Sequence, residues 1–599
     1  MENFNQPQTR RQLAPAVKFI LVIAIILGVI FGGQWAYNKY FAKIKASKTI
    51  AKIDLPTAPS NAAASVAPYI APSDAIAVLN TPQVRFGVME WNAQFGLMFA
   101  NGGPVTTKGS IMETNGVNLK IIRQDDCCQG LHQLVAFANA YKDNPATTAG
   151  YNFYAIMGDG GAGLLTPIYD ELIKLGEEYQ PIIIGSAGKS FGEDAFMAPV
   201  SVRENAQNAR GLLVAAVLRD GDWNIVCKWA ADNGIPLNPD DKTYNPNAIN
   251  FVNATTYLEA ANMYVTGAKV DLWVVDDKGV KTKEKRSVPV SAITTWTPGD
   301  VNAASLRGGL VRIVSTKEYD AQMPNTIVTI KKFAYDHPEL IVNLLDGIFK
   351  GSDQVKSYSA AVEVAGNVSA KVYNDHDGAY WVKYYKGVTE SDKQGLMVEL
   401  GGSAVYNLAD NQLIYGLSGG SNIYSDVYKV FGDLVVGLYP ELLPKYTPIE
   451  KLLDLTFIQK VAAKTKNISS ATEKHFDPNA KTTQVVGKRD WTIEFVSGKA
   501  DFTSAAIDEL QKLKRDLSVS GGLRFEIHGY TDNTGDPESN VRLSQHRADN
   551  VKSWLESQDP INFKNRIKVI AHGQEDAKAD NSTAWGRAQN RRVQILQVK

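Results

Sequence analysis

From Val84 to about Val461 the chain alternates short apolar runs with longer stretches of helical spacing. The runs "VRFGVM", "VNLKII", "NFYAIM", "PIIIG", "GLLVAAVL", "GLVRIV" and "NTIVTI" read as strands. Between them, segments such as "LHQLVAFANAYKD" and "LLTPIYDELIKLGEEY" read as helices. Strands alternating with helices build parallel sheets through right-handed crossovers. The region holds about 380 residues, more than one such sheet usually takes, so two α/β lobes are expected over residues 82–461.

The flanks differ in kind. "FILVIAIILGVIFGG", Phe19 to Gly33, carries no charge and continues to the aromatic residues Trp35 and Tyr37. A bilayer-spanning helix takes about 17 to 25 apolar residues, so 17–37 reads as one transmembrane segment after a cytoplasmic stretch 1–16. Arg10, Arg11 and Lys18 precede the run, as in a signal peptide, but no small-x-small cleavage site follows, which favours an uncleaved anchor. Five lysines follow the run between Lys39 and Lys52, so local charge counting by itself favours a cytoplasmic C-terminal part. Residues 38–81 and 462–488, poor in apolar periodicity, read as linkers, and 489–599 as a compact α/β unit.

Composition excludes several classes. The 44% apolar and 21% charged residues exclude wholesale disorder, and Lys plus Arg equals Asp plus Glu at 63 each, leaving no excess to attract nucleic acid. Three cysteines, Cys127, Cys128 and Cys227, show no zinc spacing; the adjacent pair reads as two buried thiols, with a vicinal disulfide as the alternative. "IIIGSAGKS" lacks the first glycine of a phosphate loop. No HExxH and no nucleophile–base pair occurs, so neither catalysis nor a metal or cofactor is expected. Several strands do end in small or polar residues ahead of a helix, which outlines a crevice lined by helix N-termini. Trp91, Asn92, Asp159, Ser186, Asp222, Trp223, Trp296 and Thr297 are the candidate ligand residues there, the indole N–H groups being donors for an oxyanion. Each is equally readable as a cap or loop residue.

The stretches "VRFGVMEWNAQ", "VLRDGDWNI", "ITTWTPGDVN", "GGLVRIVSTKEY" and "FAYDHPELIVNLLDGIF" resemble the two-lobed periplasmic solute-binding proteins of ABC importers, in the nitrate, sulfonate or phosphate branch. The resemblance implies a type II binding-protein fold and a small anionic solute. A body without any ligand remains the alternative.

The C-terminal motifs "GYTDNTG", Asn540, "LS" at 543–544, "RA" at 547–548, Gly573 and "NSTAWGRAQNRRVQI" resemble the OmpA-like peptidoglycan-binding domain over residues 489–599, with "WTIEFVSGKADFTSAAIDELQKL" as its first strand and helix. Asp536-Pro537 reads as an N-cap with proline in the first turn, and Asn540, Leu543 and Arg547 fall on one helical face. The spacing sets Asp532 opposite Arg547, a carboxylate and a guanidinium suited to a zwitterion; a structural salt bridge is the alternative. The resemblance assigns Thr531, Asp532, Asn540, Arg547 and Arg591 to peptidoglycan binding, with Asp532 and Arg547 on the diaminopimelate end of the wall peptide. It also overrules the lysine count and sets the C-terminal part in the periplasm.

Together these readings describe a single-pass inner-membrane protein that tethers membrane to wall and presents or senses a ligand between them. A homodimer or a membrane partner protein is left open. An importer's substrate-binding component is one alternative. A stator-like subunit of an ion-driven complex is another, although between Glu2 and Asp54 the chain has no carboxylate to carry the ion.

Overall fold

The computed structural model describes residues 66–276, 278–465, 471 and 474–599. The expected membrane segment 17–37 therefore lies outside the described residues. Among those described, no helix is long and apolar enough to cross a membrane.

Two six-stranded sheets form the body, as the alternation implies. The first runs in the order Ser403–Val405, Pro181–Ser190, Pro324–Ile330, Phe153–Met157, Val84–Val88, Leu119–Arg123. Val84–Val88 pairs parallel with its neighbours on both sides, while Pro324–Ile330 runs antiparallel to both of its own. Every residue of Phe153–Met157 and Pro324–Ile330 is buried, so these central strands read as continuous apolar or small-polar text rather than as alternation. The second sheet runs Val311–Ser315, Ala195–Ala198, Ala292–Thr295, Leu213–Ala216, Ile249–Asn253, Leu237–Asn238.

The chain passes between the lobes twice, from Ser190 to Ala195 and back from Ser315 to Pro324. The two crossings are laced side by side. The Ser190 and Thr316 hydroxyls lie 2.6 Å apart, the Gly192 N–H donates to Thr316 Oγ1 at 2.8 Å, and the Thr316 N–H donates to the Asp194 carbonyl at 3.1 Å.

Helices from the later sequence wrap the first lobe. Pro338–Ser357 opens with proline in its first turn and Glu339 beside it, as the "DHPEL" text implies. It crosses Phe95–Asn101 so closely that a Cβ on Gly351 would lie 2.2 Å from the Gly96 carbonyl oxygen. The stretch expected as linker is partly committed to this body: the Ala67 carbonyl accepts from Gln354 Nε2 at 2.8 Å, and Tyr69 packs between Phe99 and Tyr358.

The C-terminal domain is a four-stranded sheet in the order Val485–Trp491, Val593–Val598, Arg524–Tyr530, Ile567–Gly573. Its first strand ends where "WTIEF" begins, several residues earlier than expected, because Val485–Trp491 pairs antiparallel with the final strand. The segment before it is stitched down too, with the Thr483 N–H on the Lys599 carbonyl at 3.0 Å.

This domain docks on the body at both lobes and at the return crossing. Lys228 of the helix Gly221–Asp232 in the second lobe is 2% exposed and reaches both oxygens of Asp232 at 3.0 Å and Asp516 of the C-terminal domain at 3.1 Å. Lys514 donates to Asp426 of the helix Ile423–Leu438 at 2.8 Å, and Lys599 pairs with Glu318 of the crossing at 2.6 Å. Backbone joins in, the Gly522 N–H donating to the Glu318 carbonyl at 3.0 Å.

Removing one member of a buried ion pair strands its partners and costs about 3–5 kcal/mol. Lys228→Ala is therefore expected to lower unfolding free energy by that amount in denaturant titration of the full chain, and Lys228→Ala/Asp232→Asn/Asp516→Asn to recover part of it. Equal losses in both variants would remove the network from the docking contact.

Candidate functional site

At the far end of the C-terminal domain, the strand Arg524–Tyr530 leads into the loop 531–536 and the helix Pro537–Gln558 leaves it. Asp536 caps that helix by accepting from the Ser539 N–H at 2.9 Å, with proline at the first position, as expected. The helix lies flat on the strand because Gly529 has no side chain: a Cβ there would sit 2.3 Å from the Ser544 carbonyl oxygen. Asn540 organises the loop, its Nδ2 shared between the Thr534 carbonyl at 3.2 Å and Gln574 Oε1 at 3.1 Å. Thr531 closes the loop onto the neighbouring strand through its N–H on the Gly573 carbonyl at 2.7 Å.

Within this frame Asp532 takes the Thr534 N–H at 2.9 Å and pairs with Arg591 Nη1 at 2.6 Å. The ion-pair partner is thus Arg591, not Arg547 as the helix spacing implied. Arg547 instead donates Nε to the Lys499 carbonyl at 3.0 Å and lies over the Phe495 ring. Its terminal Nη groups make no hydrogen bond among the described residues. Both Asp532 and Arg547 are more buried than an open cleft implies, at 8% and 5% exposed, while the Arg591 side chain is 44% exposed.

The three groups act on one another. Burial opposes the Asp532 charge, but the bonds from Arg591 and Thr534 win and hold its carboxyl below the ordinary range. Burial and then the Arg591 charge push the Arg547 guanidinium down, against the pull of Asp532. A carboxylate with guanidinium groups on hand offers an ammonium one partner and a carboxylate another.

The second candidate site lies between the lobes. Asp159 follows the strand Phe153–Met157 in the first lobe, Asp222 opens the helix Gly221–Asp232 in the second, and Asp194 sits on the outward crossing. All three are at most 2% exposed. Asp159 Oδ2 accepts from Gln322 of the return crossing at 2.7 Å and from Asn224 at 3.3 Å. Asp159 Oδ1 and the amide oxygens of Asn224 and Gln322 have no hydrogen-bond partner, while the Asp194 and Asp222 carboxyls bond to each other. The Trp91 and Trp223 indole N–H groups and the Asn325 amide are likewise unpaired.

Other expected residues are committed elsewhere. Trp296 donates Nε1 to the Glu90 carbonyl at 3.0 Å and stacks on Tyr257. Ser186 is bonded to Tyr415 and Asn411 within the first lobe, and Asn92 donates to Glu193 at 3.1 Å. Thr297 is fully buried ahead of the short helix Gly299–Asn302. Asp194, Asn224, Gln322 and Asn325 were not among the expected residues; Asp194 and Gln322 lie in plain connections, and Asn224 and Asn325 in a helix and a strand whose text does not show which side chains meet the other lobe. Cys127 is buried and Cys128 exposed, both as free thiols, so the expectation of two buried thiols holds for one.

Burial acts on every acid of this cleft. Burial, first of all, lifts Asp159 to about 7 and Asp194 to about 6, and pushes Asp222 well above the carboxylate range, with Asp220 adding repulsion to each. Among the described residues no lysine or arginine pairs with any of the three; Arg312 acts on Asp300 instead, and Arg219 stacks on Tyr439. These acids stand in the cleft without a neighbouring cation, held toward their neutral forms by burial.

Comparison with known proteins bears on both parts. Residues 494–591 match the OmpA family, so the C-terminal domain is OmpA-like. The chain is 39% identical over 103 residues to "Probable lipoprotein YiaD" of Escherichia coli, covering 17% of this chain and 46% of that protein. It is 34% identical over 104 residues to "Peptidoglycan-binding protein ArfA" of Mycobacterium bovis, covering 17% and 31%. It thus spans less than half the length of these relatives. Among solved structures, the periplasmic nitrate-binding protein NrtA from Synechocystis PCC 6803 is similar at 11% identity over 66% of this chain and 93% of that one, with a TM-score of 0.43.

A carboxyl whose folded pKa is raised stabilises the fold below its unfolded value near 4, and that stability is lost as pH rises through the folded value. For Asp159, Asp194 and Asp220 the window runs from about 4 to about 7. The unliganded protein is therefore expected to melt higher at pH 5 than at pH 8, and Asp194→Asn to flatten that difference. A melting temperature that rises toward pH 8 in thermal scans would contradict the assignment.

Proposed function

We propose that this chain is a wall-bound receptor of the bacterial envelope. Its OmpA-like domain grips the stem peptide of peptidoglycan, and its two-lobed body closes on a small solute. The observation that carries the wall half is Asp532, nearly buried and paired with the half-exposed Arg591, beside Arg547 with its Nη groups unengaged. The zwitterionic end of diaminopimelate fits this set: its ammonium replaces Arg591 on Asp532, and its carboxylate takes Arg547, Arg591 or both. The uncharged run in 17–37 supports an inner-membrane anchor with the body and wall domain in the periplasm.

The solute reading rests on the unpaired polar groups enclosed between the lobes. Burial holds Asp159, Asp194 and Asp222 toward their protonated forms, and a solute that brings positive charge lets them ionise and gains that attraction. The indoles of Trp91 and Trp223 then serve as donors to its polar remainder. Such a receptor tethers the membrane to the wall and presents or senses the solute between them.

Two experiments test the two halves separately. In sacculus co-sedimentation of the full chain, Asp532→Ala is expected to weaken binding tenfold or more, since a charge-assisted bond contributes about 1.5–3 kcal/mol. Its melting temperature should fall little, whereas Arg547→Ala, which also loses Phe495 and Lys499, should lose both. Wild-type sedimentation by Asp532→Ala would sink the wall site. For the cleft, thermal scans against amines, amidines, nitrate and sulfonates are expected to show stabilisation by a cationic compound that Asp222→Asn abolishes. Stabilisation by the anions alone would reverse the charge of the solute, and silence throughout would favour a body without ligand.

A further inference from the structure

A different electrostatic environment occurs where the second lobe, the hairpin Val388–Ser391/Met397–Leu400 and the chain's last residue meet. There the surface folds into a cavity of about 770 Å³. Its ionisable lining is Arg203, Arg312, Lys317, Lys386 and Lys599 against Glu318 and Glu399, an excess of three positive charges. The volume lies within the roughly 300–1,000 Å³ common for small-molecule sites.

The carboxylates do not consume that excess. Glu318 is engaged by Lys599 at 2.6 Å and by the Ser315 hydroxyl at 2.8 Å. Glu399 stands 3.6 Å from Lys317 and 3.9 Å from Arg312, beyond hydrogen-bond reach of either. Arg312 is the central group. Its side chain is 6% exposed, its Nη2 donates to the Gly401 carbonyl at 3.1 Å, and its Nε is buried with no partner. Arg203 lies against it, donating Nη2 to the Arg312 carbonyl at 2.6 Å. Burial pushes the Arg203 guanidinium down from its ordinary value, the reverse of what a close carboxylate partner does. Neither arginine has the two-pronged carboxylate contact that its planar fork favours.

The cavity belongs to the docked arrangement. Lys599 and Gln484 come from the C-terminal domain and its lead-in, and the rest from the body. Arg312, Lys317 and Glu318 lie on or beside the return crossing, the segment that ties the lobes together.

We propose that this junction cavity binds a small polyanion, a molecule with two or more carboxylate or phosphate groups, with Arg312 and Arg203 as anchors and Lys317 and Lys386 completing the charge. Lys599 and Gln484 line the cavity too, so a ligand that fills it touches both domains, and its binding and the docking of the C-terminal domain strengthen each other. This site is separate from the acidic cleft and from the wall site, so its failure leaves both untouched.

The test is calorimetry on the full chain at low salt, with tripolyphosphate and citrate as the phosphate and carboxylate probes. At least one is expected to bind with one-to-one stoichiometry. Arg312→Gln should weaken that probe tenfold or more. Since Arg312 is buried, the exposed Lys386→Glu provides the control for folding: it should weaken binding at least threefold with an unchanged melting temperature. Asp532→Ala should bind as wild type. No heat from either probe would overturn the proposal, as would affinity indifferent to both Arg312→Gln and Lys386→Glu.

Discussion

Two strands of chain, Ser190 to Ala195 and Ser315 to Pro324, hold the lobes together, and Thr316 fastens them to each other through its hydroxyl and its N–H. Three regions of the molecule are built from these dozen or so residues. Asp194 and Gln322 turn into the cleft between the lobes. Glu318 and Asp320 turn outward to Lys599 and Lys474 of the C-terminal domain and its lead-in. Arg312, just before the return crossing, and Phe191, on the outward one, line the junction cavity. A movement of one crossing against the other is therefore felt at all three. The OmpA-like domain sits on the crossings that join the lobes, so its hold on the body and the link between the lobes share the same residues.

Charge is distributed with the same economy. The cleft collects carboxylates with no cation beside them, the junction cavity collects cations with too few carboxylates, and the docking contact pairs the two signs. Only the last is self-sufficient. Lys228, enclosed by Asp232, Asp516 and the ring of Tyr319, illustrates how a buried ammonium is tolerated: desolvation lowers its pKa, and two carboxylates raise it again by more. Groups that lack such compensation are where an external ligand changes the energy most, which is why the two uncompensated regions are the places to look for ligands.

The OmpA-like domain was legible in the text to the level of single residues. "GYTDNTG" marked the loop, Asp536-Pro537 the helix start, and Asn540 and Arg547 the face that turns to it, because caps and helical spacing are local properties. Which arginine meets Asp532 was not local. Arg591 arrives from the far end of the domain, on the last turn before the final strand, and the sheet order alone brings it within 2.6 Å. Arg547, in the expected place, was drawn off by the Lys499 carbonyl and the Phe495 ring of a loop whose course no motif announced.

For the body, alternating strands and helices were enough to determine two α/β lobes, since the period of apolar residues fixes element type and the crossover rule fixes how such elements stack. The sequence also determined that polar residues end many of these strands. It could not determine the sign of the cleft. Asp159, Asp194, Asp222 and Gln322 are separated by tens of residues and lie on two lobes and both crossings, so their joint charge exists only once the lobes close. The docking of the C-terminal domain is of the same kind. Lys228, Asp426 and Glu318 read as ordinary surface charges until Asp516, Lys514 and Lys599 meet them. Pattern along the chain fixes what each element is, because hydrogen bonding and amphipathicity are short-ranged. Burial and electrostatics depend on what lies across the gap, and the tertiary structure decided those.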